Sequence, residues 1–304
     1  MSETTTGERV SETTTSEHDE RPLRILHLSD THLFGDDTLH YGMVDTAAAL
    51  GRVLARASEI EGVDVVVLSG DLSDDGSAAS YEKLRELVEP WAAAHGASVV
   101  YAMGNHDLRA GFEAVLGDRV GVTTVRGVRV VRLDSSVPAY GYGEIEASQL
   151  EWLRRELATP AQRGTVVVVH HPPTAASSPL LRALELQRPE ELLAACSAGD
   201  VRLVLSGHYH HPLVATEAGL PVIVAPGITN TTDALAPSGR ERATIGAGFA
   251  VVDLPVRGLP AAGLPRVTFV PAPGPDDGTE LFDLTPDEVE HIARAAGPGP
   301  RARL

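Results

Sequence analysis

Five short apolar runs organise the chain: residues 25–28, 65–68, 99–103, 166–169 and 203–205. They are rich in Val, Leu and Ile and lack strict polar alternation, the pattern of strands buried on both faces. Between them lie stretches with helical spacing. Residues 44–60 place Val44, Ala47, Ala48, Val53, Leu54 and Ala57 on one face, and Leu84, Leu87, Val88 and Trp91 mark a second helix. Ser148-Gln149-Leu150-Glu151 reads as a capping box ahead of Leu153 and Leu157. Thr285-Pro286-Asp287-Glu288 reads as another, opening a helix that runs to about Ala296. Strand–helix alternation predicts an α/β fold. Three further strand candidates, 128–133, 221–225 and 249–252, have no helix between them, so part of the sheet is expected to be antiparallel.

Each of the five runs is followed by polar chemistry. The segments are Ser29-Asp30-Thr31-His32, Ser69-Gly70-Asp71, Gly104-Asn105-His106-Asp107, His170-His171-Pro172 and Ser206-Gly207-His208-Tyr209-His210. In open α/β sheets the ligand site lies beyond the carboxyl ends of the strands, so these loops are expected to converge. Asp30, His32, Asp71, Asn105, His170, His208 and His210 then offer four imidazoles, two carboxylates and one amide, with no thiolate. Seven ligands are too many for one tetrahedral ion. They suit two ions of higher coordination, drawn from Mn, Fe, Zn, Co or Ni rather than Ca or Mg. Residues i and i+2 of an extended segment point the same way, which lets Asp30 with His32, or His208 with His210, reach one site. Asp74 and Asp107 are open between orienting these ligands and serving as loop carboxylates.

Composition removes several classes of function. The 304 residues are 43% hydrophobic and 22% charged, enough for a sizeable core, and the 29 glycines and 21 prolines predict many loops. No apolar run reaches the roughly 18–20 residues of a membrane helix. The first residues, Met1-Ser2-Glu3, lack a basic and an apolar region of a secretory signal, which points to the cytoplasm. A formal charge of −17 with no Lys/Arg cluster argues against nucleic acid as a partner, while bound metal ions would still admit a small anionic substrate. The single Cys196 excludes an internal disulfide framework and reads as a buried residue. No Gly-x-Ser-x-Gly occurs, so a serine hydrolase is poorly supported. His27 reads as a hydrogen-bonded core imidazole, His171 and His211 as bystanders, and His18, His40, His95 and His291 as surface residues.

The ordered set Asp-x-His, Gly-Asp, Gly-Asn-His-Asp, His and Gly-His-x-His resembles the calcineurin-like metallophosphoesterase superfamily. The segments Ser29-Asp30-Thr31-His32-Leu33, Gly70-Asp71-Leu72-Ser73-Asp74-Asp75-Gly76, Gly104-Asn105-His106-Asp107-Leu108-Arg109 and Leu133-Asp134-Ser135-Ser136-Val137-Pro138 are similar to those of bacterial class III cyclic nucleotide phosphodiesterases. The phosphoprotein phosphatase branch, with Asp-Arg-Gly in the second motif, is disfavoured by Asp74-Asp75-Gly76. The resemblance implies a sandwich of two mixed β-sheets flanked by helices over residues 23–270, with a dinuclear site at the strand ends. Residues 1–22 would be a disordered tail, and 271–304 a loop, C-terminal helix and tail. The resemblance further implies that Asp30, His32 and His210 hold one metal, that Asn105, His170 and His208 hold the other, and that Asp71 bridges them. The pair would be Fe–Mn or Mn–Mn. His106 would be catalytic, and Asn105, His106 and His208 would contact the substrate phosphate.

The expected reaction is metal-dependent hydrolysis of a 3′,5′-cyclic nucleotide, cAMP in the first instance, by in-line attack of a hydroxide bridging the ions. His106 would either protonate the leaving oxygen or hydrogen-bond the phosphoryl group. Alternatives are other phosphoesters, such as 2′,3′-cyclic nucleotides or glycerophosphodiesters, and an inactive metal-binding regulatory protein, against which His106 argues. A homodimer is suggested by the resemblance alone. Selectivity is assigned to loops, including 34–41 and 139–143, the latter carrying Tyr140 and Tyr142 as candidate base-stacking rings.

Overall fold

The computed structural model describes residues 21–255 and 263–299. Of the expected N-terminal tail, 1–20 lie outside the described residues, as do 300–304. The elements run β1 (Leu23–Leu28), α1 (Thr46–Ala57), β2 (Val65–Ser69), α2 (Ala78–Ala94), β3 (Ser98–Ala102), α3 (Arg109–Leu116), β4 (Gly121–Val125) and β5 (Val128–Arg132). Then come α4 (Ala147–Leu157), β6 (Thr165–Val168), α5 (Pro179–Ala183), α6 (Pro189–Ser197), β7 (Val201–Ser206), β8 (Leu213–Glu217) and β9 (Leu220–Val224). The chain closes with β10 (Asn230–Thr232), β11 (Glu241–Ile245), β12 (Gly248–Leu254), β13 (Arg266–Pro271), β14 (Glu280–Leu284) and α7 (Pro286–Ala296).

Two large mixed sheets stack face to face. One has the order β13-β12-β1-β2-β3, the other β4-β5-β6-β7-β9-β8. In the first, β1, β2 and β3 are parallel and β12 and β13 antiparallel. In the second, β5, β6, β7 and β9 are parallel and the edges β4 and β8 antiparallel. The antiparallel share expected from the helix-free strand candidates is therefore present. Val-rich strands follow from two-sided burial. Ile25, Val67 and Val100 of one sheet meet Val130, Val168 and Leu205 of the other in a dry layer. The opposite face of the first sheet packs on α1 and α2 through Leu50, Val53, Leu84 and Val88. The opposite face of the second packs on α4 and α6 through Leu153, Leu157, Leu192 and Cys196, the buried thiol expected from sequence.

Strands extend a residue or two beyond several expected runs, the first helix ends at Ala57 rather than at 60, and two helix starts differ. The first helix begins at Thr46, not at 44, because the Asp45 side chain accepts from Ala48 N–H as its cap; this rotates Ala48 outward and buries Ala49 and Leu50 instead. The fourth helix starts at Ala147 with Glu146 at its cap, so Ser148 lies inside the first turn and forms no capping box. The Thr285–Glu288 box is present as expected. The segment from 271 onward contains more than a loop, helix and tail. Strand β14 pairs with β11 in a third, three-stranded sheet, β10-β11-β14, and the Gly141 N–H donates to the Ala296 carbonyl at the end of α7. That added sheet lies along the rim of the cavity described next.

Candidate active site

The carboxyl ends of β1, β2 and β3 meet those of β6 and β7 where the two sheets converge. All eight residues expected at the site are brought to this point. Asp30, His32, Asp71 and His210 form one group able to hold a metal, and Asp71, His170 and His208 a second, sharing Asp71. Asn105 and His106 line the same cavity, of about 140 Å³. Tight loops force unusual backbone. Asp30, His32, Asp71, His208 and His210 all have positive φ, between 43° and 69°, a conformation that costs energy in non-glycine residues and concentrates at functional sites. Gly104 is required by close approach. A Cβ there would collide with the backbone nitrogen and the Oδ1 of Asp71.

Hydrogen bonds fix the tautomer of each imidazole. His32 Nδ1–H donates to Asp74 Oδ1 (2.9 Å), His170 Nδ1–H to the Ser69 carbonyl (2.8 Å) and His210 Nδ1–H to Asn230 Oδ1 (3.0 Å). His208 is turned the other way, its Nε2–H donating to the Leu184 carbonyl (3.1 Å). A neutral imidazole has one N–H, so Nε2 of His32, His170 and His210 and Nδ1 of His208 are left as lone-pair donors. His32 Nε2 and His210 Nε2 then face one another at 3.3 Å with no proton of their own to share. His170 Nε2 and Asn105 Oδ1 are buried without a hydrogen-bond partner. His170 Nε2 lies 3.2 Å from Asp71 Oδ2 and 4.0 Å from Asp30 Oδ1, and His210 Nε2 3.3 Å from Asp30 Oδ1. Converging lone pairs and two buried carboxylates are what a pair of cations satisfies. The nitrogen and oxygen donors fit transition metals.

The electrostatics agree. Burial alone would raise the Asp30 and Asp71 carboxyls, yet the facing imidazoles, His210 for Asp30 and His170 for Asp71, hold both below the usual carboxylate range. Burial lowers His32 to about 4 and His208 to about 3. Burial opposes charge on His170 too, but the Asp71 carboxylate outweighs it and lifts the imidazole to about 9. The pocket thus draws a proton where a cation would sit, and metal binding would displace it.

Two acids support this arrangement. Buried Asp107 accepts from the backbone N–H groups of Leu72, Ser73 and Gly104, tying the second and third motifs together. Asp74 accepts from His32 and lies 3.1 Å from His106 Nδ1. His106, with 45% of its side chain exposed, stands at the cavity mouth, while its backbone N–H donates to Asp71 Oδ1 (2.8 Å). His27 is buried and bonds Ser69 Oγ (2.9 Å). His171 faces away from Asp71, bonded to Ser135 Oγ and the Gly141 carbonyl. His211 is buried against Tyr209.

The expectation for His40 is corrected. His40 is not a surface residue; it is 5% exposed, lines the cavity, and its ring lies 4.8 Å from that of His32, because the loop after β1 folds back over the site. His95 is half-buried and stacks on Trp91, His291 is exposed, and His18 lies outside the described residues. Tyr140 and Tyr142 contact each other, and the aromatic rings at the cavity are instead Tyr41 and Phe282. Tyr41 ends loop 34–41, to which the sequence assigns selectivity; Phe282, Asn230 and Glu241 escaped sequence reasoning because none sits in a motif or at a strand's carboxyl end.

A family model for calcineurin-like phosphoesterases matches residues 23–212. The chain belongs to that family. It is accordingly a hydrolytic metallophosphoesterase. A dual-specificity cAMP/cGMP phosphodiesterase of Mycobacterium tuberculosis is 42% identical over 241 residues, covering 76% of each chain. A 3′,5′-cyclic adenosine monophosphate phosphodiesterase of Pseudomonas aeruginosa is 33% identical over 230 residues, covering 71% of this chain and 83% of the relative. The fold is shared with a purple acid phosphatase from yellow lupin, at a TM-score of 0.53 and 12% identity over 93% of this chain and 57% of that one. No helix among the described residues is long and apolar enough to cross a membrane.

Gly104→Ala is expected to weaken metal retention at least tenfold, since the new Cβ must push Asp71 out of the cluster. Metal content after dialysis, measured by elemental analysis on the folded variant, checks this.

Proposed function

We propose that the protein is a dinuclear phosphodiesterase that opens 3′,5′-cyclic nucleotides, cAMP among them, to the 5′-monophosphate. The observation that carries this reading is the fixed set of lone pairs: four imidazoles pinned at one nitrogen so that the other faces Asp30 and Asp71. The relatives named as cyclic nucleotide phosphodiesterases support the substrate class. Asp30, His32 and His210 would hold one ion, Asn105, His170 and His208 the other, with Asp71 shared. Fe with Mn, or two Mn, is the proposed pair. When bound, the ions supply Lewis acidity towards the phosphate and a water of lowered pKa.

The chain's own residues do the rest. Asn105 and His208 line the cavity and would contact the phosphate. His106 presents Nε2 to the cavity while its Nδ1–H is held by Asp74. Desolvation disfavours charge on His106, but Asp71 and the Asp74 bond outweigh it and push the imidazole up to about 9. With Asp71 shared by the ions, the Asp74 carboxylate is the group that would keep a proton on His106. As the bond from phosphorus to the 3′-oxygen breaks, Nε2–H can donate that proton to the leaving oxygen. General acid help of this kind contributes ~10²–10⁴ in rate.

Mn-loaded protein is expected to convert 3′,5′-cAMP to AMP, with activity abolished by chelator. His106→Ala should lower kcat by roughly 10²–10⁴ with two metals retained. Absence of turnover in the two-metal wild-type protein would overturn the cyclic-nucleotide reading. The acid role has its own signature. His106 must be protonated, so kcat falls as pH rises through its pKa. Asp74 raises that pKa, and Asp74→Asn should move the alkaline limb to lower pH. An unmoved limb with metal content intact would contradict the role.

A further inference from the structure

The cavity has a second half, built by residues outside every motif. Tyr41 and Phe282 face each other there, ring centroids 5.5 Å apart at 44°. Tyr41 is 61% exposed and has φ +52°, a strained conformation for a bulky aromatic residue. It packs edge-on against His40 (4.6 Å), whose ring also lies 4.8 Å from that of His32. The aromatic pair is thus two ring contacts from the ligand cluster. Across from it, Glu241 is 2% exposed, lines the same cavity and has Oε2 without a hydrogen-bond partner. Ala243 is the register partner of Phe282, and Glu241 lies two positions from Ala243, so Glu241 and Phe282 share one face of the β11–β14 pair.

We propose that this half of the cavity is a nucleoside subsite. The base lies against Tyr41 and Phe282, and Glu241 Oε2 accepts a hydrogen bond from an N–H of the base. The proposal rests on the nucleotide-phosphodiesterase reading and adds to it the residues that choose a nucleoside over a bare phosphodiester. Each feature asks for such a ligand. Exposed, strained aromatic surface beside a phosphate site is a stacking platform that any base can use. The Glu241 carboxyl bonds Ser178 and lies near Arg182, which leaves Oε2 as the acceptor a ligand N–H can satisfy. The subsite exists only because the C-terminal segment returns to the domain, since Phe282 is carried by β14.

The test is calorimetric binding to Mn-loaded full-length protein of 5′-AMP, purine riboside 5′-monophosphate, which lacks the exocyclic amine, and ribose 5-phosphate. The wild-type protein should bind 5′-AMP at least tenfold more tightly than ribose 5-phosphate, and Tyr41→Ala or Phe282→Ala should shrink that ratio by roughly tenfold. Phe282→Trp should restore it. Glu241→Leu should erase the preference for 5′-AMP over purine riboside 5′-monophosphate while leaving the latter's advantage over ribose 5-phosphate. Phe282 also packs against the small core beside β14, so exposed Tyr41 provides the variant least exposed to folding defects. Equal binding of 5′-AMP and ribose 5-phosphate by the wild-type protein, or ratios unmoved by the Tyr41 variant, would overturn the subsite. Turnover of bis(p-nitrophenyl) phosphate by the same preparation separately reports whether the phosphodiesterase reading stands.

Discussion

Everything at this site depends on two carboxylates, Asp30 and Asp71, buried side by side at the seam between two sheets. Like charges removed from water are costly unless compensated nearby. Here the compensation comes from imidazoles reaching in from the opposite sheet, His170 between the two acids and His210 beside Asp30. The remaining lone pairs are left to cations. The fold serves this constraint. Parallel strands in both sheets aim five carboxyl ends at one point, and the apolar layer between the sheets holds those ends in register.

The strain at the site has the same origin. Five ligand-bearing residues accept positive φ so that their side chains turn inward immediately after a strand ends. Asp107 reinforces this by gathering three backbone N–H groups from two loops, and Asp74 joins the metal-facing His32 to the substrate-facing His106. A single carboxylate thereby links ligand orientation to the protonation of the group that faces the leaving oxygen. The outward-facing nitrogens and oxygens of this network have defined partners, and the unpaired ones converge on the positions assigned to the cations.

Much of this was legible in the chain. Apolar runs ending in Asp-x-His or Gly-His-x-His carry both strand and ligand in one short segment, so local pattern sufficed for the sheets and the cluster. His170 lies with Asp71 and His208, while His171 is bonded to Ser135 Oγ and the Gly141 carbonyl. What escaped was non-local. The sequence marks loop 34–41 for selectivity, but no periodicity encodes the path that brings His40 and Tyr41 to the cavity, and Phe282 arrives by a strand pairing across some forty residues, from β11 to β14. Asn230 and Glu241 sit on short strands of that same added sheet. Tyr140 and Tyr142 looked equally suited to a base by composition, but their rings contact each other and neither lines the cavity.

The central claim is that these side chains form two metal positions sharing Asp71. Anomalous diffraction from crystals of the Mn-loaded protein tests it most directly. The account predicts two ions per chain, one ligated by Asp30, His32, Asp71 and His210, the other by Asp71, Asn105, His170 and His208. A single ion, or ions bound without Asp71, would contradict it.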